Sequence, residues 1–388
     1  SSGGEIDALF NMPTGSPQEQ AMNDLIAKFE EQEGIKVNVV YASTTFEDDM
    51  KVKMASDSIP DVFSTHGWSV LRYGPYLEPL NDQPWAEFVN PGLKNVMYDE
   101  EGNIFALPLE YGTTGMLVNY DLLEQANIDA EKLSTWDDFN AAMKTLKDEL
   151  GITPFTASGK DSNAGDIGNF LASGNFTEEQ KKQFQDGTFD PALWQEGVTD
   201  LVEQWQKEGY FNPDFVSASL DDMSRQLADG SAAFALSWPF VVNTAYEYNP
   251  DANLGFIPIP GMEEPYLVGG EGVSAFGVSK TAQNKDAALA FVNFLAEPEN
   301  AEPLLDSMGA YSGLTNVEVD LGEMQPSFDK YVAPGNVPTQ PFFDRVYLPN
   351  GMWNSIITTT DGVINGQLSS SEASEQMKAQ FDTLYGQQ

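Results

Sequence analysis

Residues 6–41 place two kinds of hydrophobic pattern in an order that few architectures accept. Residues 6–10 (IDALF) form a short, largely apolar run, followed by the loop NMPTG at 11–15. Ser16-Pro17-Gln18-Glu19 then opens a helix. The serine hydroxyl serves the unpaired N–H groups of the first turn, proline suits the first helical position, and Glu19 closes a capping box. Met22, Leu25, Ile26 and Phe29 recur on one face, and Gly34 ends the helix. Ile35, Val37, Val39 and Tyr41 alternate as a second strand. Strand, helix and strand at this spacing make a βαβ unit, which sets the strands parallel and calls for helices against the sheet. In such sheets ligands sit beyond the carboxyl ends of the strands. That rule puts residues 11–14 and 43–47 on the functional rim.

At 388 residues the chain exceeds one ordinary core, and two lobes of roughly 150–200 residues are expected. A net charge of −41, from 60 acidic and 19 basic residues, repels a phosphate backbone and an anionic bilayer alike. Nucleic acid is excluded as a partner. The scarcity of arginine and lysine also argues against a strongly anionic ligand, which basic groups usually clamp. The absence of cysteine removes disulfides and thiolate metal sites. With one histidine, His66, a multi-histidine metal centre cannot form. There is no G-x-S-x-G elbow, and no local pattern marks a pair of catalytic carboxylates. No apolar run approaches the ~20 residues that span a bilayer. No cofactor is expected. The acidic turn DEEGN at 99–103 lacks the spacing of an EF-hand loop, and Gly159-Lys160 has Pro154 where a phosphate loop needs glycine.

Residues 253–297 organise the remainder. An apolar strand (LGFIPIP) is cut by Pro258 and Pro260. The loop Gly269-Gly270-Glu271-Gly272 leads into an alternating strand at Val273, Ala275 and Gly277. Ala288, Phe291, Val292 and Leu295 then mark an amphipathic helix that Pro298 stops. This order, together with PDVF at 60–63, IFALP at 104–108, YGTTGMLVN at 111–119, TWDDF at 135–139 and LADGSAAFALSWPF at 227–240, resembles the extracellular solute-binding proteins of ABC importers. The resemblance spans almost the whole chain and is strongest to the sugar-binding class that includes maltodextrin-binding protein. Ser134 stands where that family usually has proline before TWDDF.

The resemblance implies an α/β fold of the periplasmic-binding-protein type (type II). Its two discontinuous lobes would be residues 1–112 with 261–312, and 113–260 with 313–388. Hinge crossings are expected near 111–113, 258–260 and Gly313, with a ligand cleft between the lobes. It further implies a monomer that captures a neutral oligosaccharide and docks on ABC permease subunits. The protein would be held at the outer face of a bacterial membrane through a lipidated cysteine upstream of the SSGG start, or lie free in a periplasm. Other neutral ligands, a polyol or a peptide, and a secreted carbohydrate-active enzyme are the alternatives.

A sugar binder needs flat aromatic faces for the C–H surfaces of pyranose rings and planar polar groups for the hydroxyls. Trp238, Trp353, Trp68 and Tyr111 occupy loop or strand-end positions that the family uses for ligand contact. Glu271 and Gly270 in the glycine loop, Glu47, Asn11, His66, Asp166 and Arg345 are the polar candidates. Trp136, Trp194 and Trp205 lie on helical stripes and are expected in the core.

Overall fold

A computed structural model describes residues 4–272 and 274–387. The chain divides into two compact units. Unit 1 comprises the chain through Gly112 with Gly269–Gly322 and Ala333–Asn336; unit 2 comprises Thr113–Val268, Glu323–Val332 and the chain from Val337.

Unit 1 is built on a five-stranded sheet, in the order Lys36–Ala42, Glu5–Asn11, Val62–Ser64, Ala275–Val278, Leu107–Pro108. The first two strands pair in parallel from Glu5↔Lys36 to Asn11↔Ala42, and Val62–Ser64 joins them in parallel at Ala8↔Val62. Ala275–Val278 enters antiparallel between Val62–Ser64 and Leu107–Pro108. Val273, expected to begin that strand, lies outside the described residues. Helix Pro17–Glu33 starts on the Ser16 cap, whose side chain accepts from the Glu19 N–H, and ends on Gly34 in the left-handed region. The expected capping box does not close, because the Glu19 carboxylate takes the Gly15 N–H while the Ser16 N–H goes to the Pro13 carbonyl. Its buried Phe29 meets the rings of Phe291 and Phe294 at 5.0 and 5.3 Å. Both belong to helix Lys285–Ala296, which stops before a further helix beginning at Pro298. Each such buried ring stabilises the unit by about 2–3 kcal/mol.

Unit 2 has a three-stranded antiparallel sheet, Phe234–Leu236, Met116–Asn119, Leu254–Ile257. All four residues of the central strand are buried, as expected for a strand covered on both faces. Helix Trp136–Leu150 begins on a Thr135 cap and buries Trp136, Phe139, Met143 and Leu146. The three tryptophans expected in the core are there. Trp205 stacks on Phe155 at 5.3 Å, and its indole N–H reaches Asn140 Oδ1 at 2.7 Å. The helical run 191–207 carries one π turn at Gln195–Thr199. There the Asn175 side chain donates to the Gly197 carbonyl at 2.7 Å. Two long helices, Met352–Ile364 and Ser370–Tyr385, close the chain.

Segment 258–267 remains within unit 2, because Ile259 and Tyr266 exchange backbone hydrogen bonds of 2.8 and 3.0 Å and fold it back as a hairpin. Residues 313–322 belong to unit 1, where Gly313 bonds Leu109 and Asn90 through its backbone. No helix among the described residues is long and apolar enough to cross a membrane, and no group of three acidic or histidine side chains among them could hold a metal. In the acidic turn, the Asp99 carboxylate is taken up by the N–H groups of Glu101 and Asn103 at 3.0 and 2.7 Å.

Candidate functional site

In unit 1 the loop after Val62–Ser64 carries two of the expected residues, His66 and Trp68, with their rings 5.3 Å apart. Trp68 is half-buried, and the guanidinium of Arg72 lies over its ring at 4.3 Å. Arg72 is in turn held by Glu47 at 2.7 Å. Glu47, expected to accept from a ligand, therefore sets the cation that covers a tryptophan face. Asn11 ends its strand with its backbone N–H on Ser64 Oγ at 2.9 Å. Gly270 has φ +151, a backbone conformation that side chains rarely adopt, and lies against Val96.

Two expected contacts are almost wholly buried. Tyr111 is 2% exposed. Its N–H donates to the Tyr311 carbonyl at 2.7 Å, and the two rings pack 6.2 Å apart. Tyr311, far away in sequence, packs against it. Glu271 is 5% exposed and accepts from the chain itself: the hydroxyls of Thr65 and Ser69, and the Ser69 N–H at 3.1 Å. Burial raises its pKa, and these donors oppose the rise.

In unit 2 one helix gathers most of the remaining candidates. Helix Asn163–Asn175 presents Asp166, Asn169 and Phe170 on one face, at the i, i+3, i+4 spacing that makes side chains neighbours. Trp353, in the first turn of Met352–Ile364 and 39% exposed, donates its indole N–H to Asp166 Oδ1 at 3.1 Å. Asn169 also donates to that oxygen, at 3.3 Å. Phe170 meets Trp238 at 6.0 Å and Phe342 at 5.1 Å, and Trp238 and Phe342 lie 5.9 Å apart. Asn169 Nδ2 reaches Asp344 Oδ1 at 2.7 Å, while the Asp344 N–H returns to Asn169 Oδ1 at 3.1 Å. Arg345 follows directly, its guanidinium 6.0 Å from the Phe342 ring. Trp238, Trp353, Asp166 and Arg345 thus come together, as a set of aromatic faces around two carboxylates and a cation.

Sequence reasoning passed over Asn169, Asp344 and Arg72. Asn169 was accessible through its position three residues after Asp166. Asp344 sits inside the aromatic stretch QPFFDRVYLPNGMW, and Arg72 is a basic residue in a strongly acidic chain.

Burial pushes Asp166 up to about 7; the Asp344 charge adds to the rise, and donors from Asn169 and Trp353 together with Arg345 oppose it. Asp344 is raised for the same reason. An aspartate in the unfolded chain titrates near ~3.9, so between that value and 7 the folded state holds a proton that the unfolded state has released. Stability contributed here is present at low pH and falls as pH rises through the window. Asp166→Asn keeps an oxygen for both donors and removes the charge. The variant is expected to melt higher than wild type at pH 8, by an amount on the order of 3 kcal/mol, with the difference vanishing below pH 4. Equal pH profiles for the two proteins in calorimetric melts would refute this.

A family model of bacterial extracellular solute-binding proteins matches residues 24–333. A melibiose/raffinose/stachyose-binding protein, MelE of Bacillus subtilis (strain 168), is 28% identical over 387 residues, covering 97% of this chain and 89% of the relative. Among solved structures, a Bacillus subtilis binding protein in an open conformation superposes with TM-score 0.89 at 28% identity, over 100% of this chain and 98% of the other. A sugar transporter protein of Bacillus licheniformis in complex with stachyose gives TM-score 0.71 at 28% identity, over 98% and 100% of the two chains.

Proposed function

Because the chain belongs to the bacterial extracellular solute-binding proteins, we propose that it captures a neutral oligosaccharide of the raffinose and stachyose kind and delivers it to an ABC permease. The observation that carries this reading is the cluster of unit 2, where Trp238 and Trp353 stand beside Asp166, Asp344 and Arg345. Indole faces cover the C–H surfaces of sugar rings, and carboxylates accept charge-assisted hydrogen bonds from hydroxyls. The names of similar proteins, which bind melibiose, raffinose and stachyose, support the choice of sugar. His66, Trp68 and Asn11 supply further contacts from unit 1. Binding favours a closed arrangement of the two units, as in hinge-closing receptors, and the closed monomer is the form the permease receives. The family places the protein outside the cell, and anchoring through a lipidated cysteine upstream of Ser1 completes the reading.

Calorimetric titration against raffinose, stachyose, melibiose, maltotriose, a polyol and a tripeptide tests this. Micromolar or tighter binding of the galactosyl sugars, with the sugar recovered intact, is the expected result. Heat only from the polyol or the peptide would overturn the sugar assignment, and release of free monosaccharide would establish the enzyme instead.

A further inference from the structure

The carboxylate of Glu271 is buried among donors that all come from one short loop. Thr65 and Ser69 give their hydroxyls, Ser69 its N–H at 3.1 Å, and Gly67 another backbone N–H. These partners are neutral, so the dipoles of loop 65–69 hold the charge. A buried anion is tolerated only where such donors are fixed, and a fixed anion in turn dictates where the donors point. The loop requires an organiser of this kind. His66 has φ +41 and Gly67 φ +85, and a side chain disfavours that region unless its surroundings enforce it. N–H groups of neighbouring residues converging on one anion form a nest; here the chain supplies the anion.

The anchor is itself stiff. Glu271 ends strand Leu267–Glu271. A Cβ on the next residue, Gly272, would land on the Glu110 carboxyl group, which also receives the Ser274 N–H at 3.1 Å. The carboxylate is thus fixed from the strand before it, and Gly272 after it has no room for a side chain.

We propose that Glu271 is a positioning residue for ligand binding: its carboxylate is the internal template on which loop 65–69 folds, and it acts through His66 and Trp68 without touching the sugar. The proposal rests on the reading of those two side chains as sugar contacts. The chain has one histidine, so the imidazole signals in an NMR spectrum report this loop alone, with or without ligand.

Glu271→Gln keeps the shape but removes the charge and one acceptor oxygen, so the donors of loop 65–69 no longer share two acceptors. In the sugar-free protein the His66 signals are expected to shift and split. The Kd for raffinose is expected to rise roughly tenfold, the effect of losing one charge-assisted bond from the template. Ser69→Ala, which deletes one hydroxyl and retains the charge, is expected to move both readouts in the same direction by less, and it carries the test if the glutamine variant does not fold. Unchanged His66 signals in the variants would overturn the proposal. So would an affinity loss without any change in those signals, because Glu271 would then act on the sugar directly. If wild type binds neither raffinose nor stachyose, the sugar reading fails, while the ligand-free His66 comparison still decides the role of Glu271.

Discussion

Trp238→Ala is expected to weaken raffinose binding about a hundredfold, near 3 kcal/mol, the scale of a central aromatic anchor. The size of the effect follows from how the ring is held. Trp238 follows the buried strand Phe234–Leu236 and is half-buried, and it tilts against Phe170 and Phe342 at 54° and 46°. Those two rings meet each other edge to face at 85°. A platform fixed in this way gives contact area at little entropic cost on binding. Trp238→Phe keeps a smaller face and is expected to lose roughly tenfold, since aromatic stacking scales with the area covered. Thermal melts of both variants separate lost contact from lost fold. A change in Kd below threefold for the alanine variant, in a protein that melts normally, would remove Trp238 from the site.

Gly165→Ala is expected to have the largest effect on stability, about 3 kcal/mol, at the upper end of overpacking costs. A Cβ at Gly165 would lie 2.6 Å from Ile357 Cα and 2.8 Å from its carbonyl carbon. Backbone cannot swing aside as a side chain can, so the helices Asn163–Asn175 and Met352–Ile364 would have to separate. One turn along, Gly168 faces the side chains of Thr360 and Ile356. Separation would also pull the Trp353 indole from Asp166, a contact of 3.1 Å made across this helix pair. One added methyl group should therefore reduce both the unfolding free energy in urea and the affinity for raffinose. A loss of stability under ~1 kcal/mol would show that the two helices have room to adjust.

Features whose partners lie within a few residues were legible in the sequence. The Ser16 and Thr135 caps serve N–H groups three residues ahead, and the stripe of Trp136, Phe139, Met143 and Leu146 is set by helical periodicity alone. The roles of Glu271, Tyr111 and Glu47 depend on distant partners. Thr65 lies 206 positions before Glu271, and Arg72 lies 25 after Glu47. A carboxylate in a glycine loop reads as a ligand acceptor until the hydroxyls that consume it are in place. Asn169 was missed for the opposite reason: an amide inside a helix reads as surface, whereas here it is wholly buried and bridges Asp166 and Asp344. Pro258 and Pro260 do interrupt a strand, but the Ile259–Tyr266 pairing turns that interruption into a hairpin.

The connectivity of the unit 1 sheet has a consequence for how the protein is made. Ala275–Val278 lies between Val62–Ser64 and Leu107–Pro108, so a sheet begun at residue 5 receives an interior strand only after all of 113–268 has been synthesised. A chain leaving the ribosome or an export channel N-terminus first carries a sheet with a gap in it. Val62–Ser64 and Leu107–Pro108 each wait with an unpaired edge, the kind of surface that pairs with other chains. The N-terminal third cannot lock while the remainder is still in transit. Those edges close only when residue 278 arrives and Ala275–Val278 takes its place between them.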